Sequence, residues 1–273
     1  MSALRIATYN LLHGGQDEED RSRLDAALEV LREAAPHVVM LQEARRFEAD
    51  GGRLLLEVER RLGMRGWLAL APHTGQNTAV LVAPPIEPRA FAADPVRFHH
   101  AAAHLTVALP GLGPELTLVS VHLSPASPAA RLAEAAHLAD LAATDRFSIV
   151  AGDCNSPGPG DPEPGDWERL PAHFRVRYLD EAGERSDRRA LRLLAAAGFA
   201  DAATALGAGA EPTVPTTGHP DAEFVDFRAD RVLVSPPLAD GIVGQRMIRD
   251  ERTHRASDHY PVVVDLDLPW AGA

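Results

Sequence analysis

The sequence predicts an α/β fold built as a single domain over residues 1–273. Two features lead to that prediction. Short runs of Val, Leu and Ile alternate with stretches whose apolar residues recur at helical spacing. Several of these runs then stop abruptly at a polar side chain, as if each strand delivered one functional group to a common edge. A chain of 273 residues also has the size of one large domain with a substantial core.

Leu4–Asn10 reads as the first buried strand, with its polar end at Asn10. Ser22 is placed to cap a helix whose Leu24, Leu28 and Leu31 share one face, and Asp25 suits the positive end of its dipole. Val38–Glu43, Leu116–His122 and Phe147–Asp153 read as further strands, each apolar until its last residue or two. Ser127-Pro128 starts a second helix, with Pro at its first position and Ala135, Leu138 and Leu141 on one side. A third helix is expected from Ser186 to Ala197, stopped by Gly198. The Pro/Gly-rich stretch Ser156–Gly165 excludes regular structure. It is expected to border a site, either as a substrate-selecting loop or as a tolerated surface insertion. Gly207–Pro220 is a second such connection. Strand-like sequence closes the chain after Asp230 and at Val262–Leu266.

Composition excludes several classes of protein. A formal net charge of −12 argues against coating nucleic acid through a broad basic surface, although a few local arginines and a metal ion can still hold one phosphate. All 27 basic side chains are arginine, which fits a biased genome better than a function. The single cysteine, Cys154, rules out an internal disulfide or a Cys-rich zinc site and fits a reducing compartment. No apolar run reaches the roughly 18 residues of a membrane span. Met1 leads at once into strand-like sequence without signal-peptide character, so a cytoplasmic protein with no membrane anchor is expected.

Chemistry concentrates at the strand ends. Gly152-Asp153-Cys154-Asn155 puts a carboxylate and an amide two residues apart, one able to orient or deprotonate water and the other to donate to a phosphoryl oxygen. Taken alone, the same four residues also make an ordinary turn. Ser257-Asp258-His259 precedes a strand and offers a metal ligand beside a base. Tyr9-Asn10 and Gln42-Glu43 add an amide and a carboxylate, Glu43 being suited to Mg²⁺, which takes one or two carboxylates and keeps several waters. Asp230, at the start of an apolar strand, is placed to hydrogen-bond His259 and fix its tautomer, or else to pair with a neighbouring arginine. His99, His100 and His104 carry no accompanying ligand motif and are expected on the surface.

Together these segments resemble the endonuclease/exonuclease/phosphatase superfamily. Asn10, Glu43 in a Gln-Glu pair, strand-end His122, Asp153 with Asn155, Asp230 in Arg-x-Asp, and Asp258 with His259 occur in that family's order over Arg5–Leu268. The resemblance implies a four-layer α/β/β/α sandwich with two packed mixed sheets and a site where strand ends from both sheets meet. It further implies Mg²⁺ or Mn²⁺ held by Glu43, Asn10 and Asp258, and water activated by His259 or Asp153, with His259 preferred because a positioned imidazole titrates nearest neutrality. Asn155 and His122 would contact phosphoryl oxygens. Arg131 is expected to be structural first and substrate-facing second, and Asn77 either lines the cleft or serves as a strand-start turn residue.

A phosphodiesterase acting on nucleic acid is the leading reading, and a hydrolase of small or lipid-linked phosphoesters comes next. A non-catalytic binding protein ranks last, because every expected polar position is filled. The chain departs from the family pattern at Cys154, where an aromatic is frequent, at Ala229, where a larger apolar residue is usual, and in the loop after Asn155.

Overall fold

The structure is a computed structural model that describes residues 3–208, 211–219 and 223–272. Its twelve described strands are β1 (Leu4–Asn10), β2 (Val38–Gln42), β3 (Arg65–Ala69), β4 (Thr78–Val82), β5 (Glu87–Asp94), β6 (Ala102–Ala108), β7 (Leu116–His122), β8 (Phe147–Asp153), β9 (Ala200–Asp201), β10 (Asp230–Val234), β11 (Ile242–Met247) and β12 (Val262–Leu266). They form two six-stranded mixed sheets, ordered β11-β12-β1-β2-β4-β3 and β5-β6-β7-β8-β10-β9. The main helices are α1 (Ser22–Ala34), α2 (Ala49–Leu62), α3 (Pro128–Leu138), α4 (Arg189–Ala197) and α5 (Glu251–Ala256).

Three apolar clusters define the four layers expected from the resemblance. Between the sheets, Leu4, Ile6, Met40 and Val80 from one meet Leu105, Leu118, Ile149 and Val232 from the other. The opposite faces of the same strands, through Ala7, Tyr9 and Leu41, pack on Leu24, Leu28 and Leu31 of α1. Val119, Val121 and Val150 likewise pack on Ala135 and Leu138 of α3 and Leu191 and Leu194 of α4. Burial on both faces explains why these strands read as continuous apolar runs. Truncating a central leucine such as Leu118 to Ala should cost about 2–5 kcal/mol.

The boundaries differ from the sequence reading in three places, each for a local reason. Ser22 lies inside α1, and its N–H donates to the Asp20 carboxylate (2.8 Å), so Asp20 does the work expected of Ser22. The second strand ends at Gln42, because Glu43 turns the backbone to φ 53°. The third predicted helix starts at Arg189, where Asp187 accepts the Arg189 N–H (2.9 Å). Of the Gly207–Pro220 connection, residues 209, 210 and 220 lie outside the described residues.

The 156–165 loop is fastened to the second sheet by charge. Asp161 accepts from Arg228 (2.6 Å) and Arg231, while Asp201 accepts from the same two arginines at 2.7 and 2.5 Å. Arg231 is fully buried. Burial pushes the Asp161 pKa up, but Arg231 and Arg228 outweigh it and hold the group at about 2, below its ordinary 3.8. Because the folded value is depressed, this contribution is present above about pH 3.8 and is lost as pH falls through about 2. Removing one partner of a buried ion pair costs about 3–5 kcal/mol, so Asp161→Ala should lower the urea midpoint accordingly. An unchanged midpoint would show that the cluster does not stabilise the fold.

Candidate active site at the converging strand ends

Topology gathers the polar strand ends. β1 and β2 run parallel, as do β7 and β8, so Asn10, Gln42, His122 and Asp153 all emerge at one end of the sandwich. β12 is antiparallel to β1 and β10 is antiparallel to β8, so the starts of these strands, carrying His259 and Asp230, arrive at the same end. Gly152 makes the approach of β8 to β7 possible: its φ is +147°, and a Cβ there would lie 1.8 Å from the Val121 carbonyl oxygen.

Asn10 is the hub. Its Nδ2 lies 3.2 Å from Asp153 Oδ2, 3.4 Å from His259 Nε2 and 3.5 Å from Glu43 Oε1. An amide nitrogen has two hydrogens, so it satisfies at most two of these three neighbours at once. Asp153 Oδ2 also faces His122 Nε2 at 3.3 Å and His259 Nε2 at 3.5 Å. His259 Nδ1 meets Asp230 Oδ2 at 2.8 Å, while Ser257 Oγ accepts the His259 N–H (3.2 Å) and donates to the Asn10 carbonyl (2.7 Å). Thr213 Oγ1 accepts the N–H groups of Ala229 and Asp230, both at 3.0 Å, and so anchors the base of this pair. Asn155 adopts φ 48°, its N–H donating to Asp153 Oδ1 (2.8 Å) and its Nδ2 to the Leu123 carbonyl (3.0 Å).

Burial and charge set the protonation of the cluster. Burial alone would lower the pKa of His259, but the Asp230 and Asp153 carboxylates and the Asp230 hydrogen bond raise it well above 6.5. His122 goes the other way, to about 4, because burial dominates. Burial likewise raises Asp153 and lifts the Cys154 thiol to about 12, leaving that thiol inert at neutral pH.

Glu43 and Asp258 stand beside this cluster. Glu43 Oε2 accepts the His13 N–H (2.8 Å), and Asp258 Oδ1 lies 4.0 Å from His259 Nε2. Among the described residues, no group of three or more His, Cys, Asp or Glu side chains is arranged to hold a metal ion unaided. The donor set nevertheless suits a hard divalent ion that keeps most of its waters. The carboxylates of Glu43, Asp153 and Asp258 supply oxygen beside the one imidazole raised toward charge, while Asp230 is taken up by His259 Nδ1.

Two expectations need correction. Asn77 does not line the cleft: its Nδ2 donates to the Ala44 carbonyl (3.1 Å) and Glu48 (2.6 Å), and its Oδ1 accepts the Ala71 N–H (2.8 Å), clamping the turn that follows Glu43. Arg131 has the structural role expected of it first rather than the substrate-facing role expected second: it is buried and donates to the carbonyls of Ser124 (3.0 Å) and Arg177 (2.6 Å). Of the three histidines expected on the surface only His99 is there, since His104 is half-buried and His100 is buried against His122. Sequence reasoning also passed over Phe224, whose ring lies 5.8 Å from that of His259.

Comparison with known proteins agrees with this fold. The chain is similar over its length to an AP endonuclease from Archaeoglobus fulgidus (TM-score 0.71, 20% identity, covering 97% of this chain and 100% of that one). It is also similar to D. rerio TDP2 complexed with a single-strand DNA product (0.67, 16%, 98% and 100%) and to the Neisseria 3′ phosphatase NExo bound to a product DNA hairpin (0.67, 18%, 97% and 100%). At these identities the likeness establishes the fold. No curated protein matches the sequence. No helix among the described residues is long and apolar enough to cross a membrane. The family model described as "Endonuclease/Exonuclease/phosphatase family" matches residues 7–259, nearly the whole chain, and the protein therefore belongs to that family.

Proposed function

We propose that the protein is a divalent-metal-dependent phosphoesterase that cleaves phosphodiester bonds in nucleic acid. The observation that carries this reading is the convergence of Asn10, Asp153 and His259 within 3.5 Å of one another, with Glu43 and Asp230 joined to them. The relatives seen with DNA product support nucleic acid as the substrate class. The single buried cysteine supports a cytoplasmic setting.

Glu43 and Asp258 would hold the Mg²⁺ or Mn²⁺, which, when bound, draws charge from a non-bridging phosphoryl oxygen, and Asn10, whose Nδ2 faces Glu43 and whose Oδ1 accepts the Leu12 N–H, would join them only with its amide turned over. His259 is the base. With its Nδ1–H donated to Asp230, the lone pair of Nε2 faces the centre of the site, where it takes a proton from water. Asp153, whose Oδ2 is 3.5 Å from Nε2, orients that water and stabilises the imidazolium formed. Asn155 has a second amide hydrogen beyond the one given to Leu123 and would donate it to a phosphoryl oxygen as charge builds there, while neutral His122, its Nε2 3.3 Å from Asp153, would act on the site through that carboxylate.

Two outcomes follow directly. The base must be unprotonated and its pKa lies above 6.5, so kcat/KM should rise with pH along a limb whose midpoint is above that value. A limb centred in the carboxylate range would instead make Asp153 the base. Glu43→Gln should raise the Mg²⁺ concentration needed for half-maximal rate, and unchanged metal dependence would remove Glu43 as a ligand.

The reading is tested by a panel of plasmid DNA, abasic duplex, RNA, a chromogenic phosphodiester and phosphomonoesters, each with Mg²⁺, Mn²⁺ or chelator. Cleavage of a nucleic-acid diester supports it. The 3′ phosphatase relative favours a second reading, monoester hydrolysis at the same site, which release of phosphate from monoesters alone would select. Inertness throughout would point to a binding protein that retains the fold.

A further inference from the structure

Beside the cluster lies a buried imidazole that the proposed chemistry leaves unused. His100 is 5% exposed, and its ring centroid is 4.2 Å from that of His122, with the planes 33° apart. On its other side His100 Nδ1 is 3.0 Å from Thr74 Oγ1, in the loop before β4. The surrounding loops are fixed independently of this stack. The buried carboxylate of Glu134 on α3 accepts the His99 N–H and the Ser124 N–H, both at 2.7 Å. One side chain thus ties the segment that carries His100 to the segment just after His122.

His122 needs an external constraint. Asp153 Oδ2, at 3.3 Å, is the one polar atom recorded within ion-pair distance of it among the described residues, and its Nδ1 is buried with no hydrogen-bond partner. A single contact of this kind leaves a ring free to tilt about its axis, and a half-turn about χ2 would present carbon to Asp153. A flat ring stacked on its face restricts both motions. Burial also lowers the pKa of both imidazoles, so the stack forms between neutral rings without charge repulsion.

We propose that His100 is a positioning residue that, anchored by Thr74, holds the His122 ring with Nε2–H directed at Asp153. This role rests on the phosphoesterase reading for its catalytic consequence, but the ring geometry is measurable without turnover.

The test uses the full chain. Nitrogen-15 NMR of the His122 ring should show a single Nε2–H tautomer in the wild type and tautomer averaging in His100→Ala and, more weakly, in Thr74→Val. His100→Phe keeps a flat ring but not the Thr74 bond, and should return the His122 signal to the weaker averaging of Thr74→Val. In turnover, His100→Ala should lower kcat about 10-fold or more with little change in KM, the pattern expected when a transition-state contact is misplaced by a small displacement. His100→Phe should recover most of that loss. An unchanged His122 signal in His100→Ala and Thr74→Val would overturn the proposal, as would a kcat loss in His100→Ala that Phe does not repair. Should His100→Ala fail to fold, Thr74→Val and His100→Phe decide by the same signal. If the wild type hydrolyses no phosphoester, the function reading fails while the NMR result still decides the role of His100.

Discussion

Replacing His259 with Asn is expected to cut turnover by about 10²–10⁴-fold while the protein keeps its fold. An asparagine amide can place an N–H near the position of Nδ1, so the buried Asp230 carboxylate, 2.8 Å away in the wild type, keeps a donor. What disappears is Nε2, the nitrogen facing Asp153 and Asn10 at 3.5 and 3.4 Å. Alanine would confound the result, because it leaves Asp230 buried and unpaired at a cost of several kcal/mol. The check is single-turnover rate beside a thermal melt. A variant with near-normal rate would remove His259 from proton transfer.

The second large effect is expected at Asp153. Asp153→Asn should lose activity on a similar scale, because it replaces the oxygen on which Asn10, His122 and His259 converge and removes the charge that would balance an imidazolium. Its effect on stability should be small. Burial raises the Asp153 pKa, so ionised Asp153 opposes folding at neutral pH, and the penalty vanishes in the amide. The N–H of Asn155 keeps an oxygen to bond. The new NH2, however, faces the Asn10 amide nitrogen in place of an acceptor, which offsets part of that gain, so an inactive variant with an unfolding midpoint close to wild type is predicted. If His259 and Asp153 act as one unit, the double variant should be scarcely slower than the worse single variant. A multiplied loss would mean separate roles.

The parts of this protein that are legible in its sequence are those where local pattern and global packing agree. Strands sandwiched between a second sheet and a helix layer must be apolar on both faces, so β1, β2, β7 and β8 appear as unbroken runs. A carboxylate or amide at the end of such a run has no packing reason to be there, and Asn10, Glu43 and Asp153 are visible for that reason. What sequence hides is non-local. Nothing near His100 distinguishes it from exposed His99, and it is buried against His122 at the end of β7 and Thr74 in the loop before β4. Asn77 and Arg131 lie in segments flanking the cluster, but their polar atoms are consumed by backbone carbonyls and amides contributed by distant turns. Asp20 and Ser22 are equally good caps by residue type, and the Asp17–Asp20 bridge aims the Asp20 carboxylate at the first turn of α1.

The most direct test of the central claim is the cleavage rate of an end-labelled DNA duplex by wild type and Asp153→Asn, each with Mg²⁺ and after chelation. Cleavage by the wild type in Mg²⁺ alone, reduced at least about 100-fold both by chelation and by the substitution, is the predicted result. Cleavage that survives both would mean that the converging strand ends are not where the phosphoester is broken.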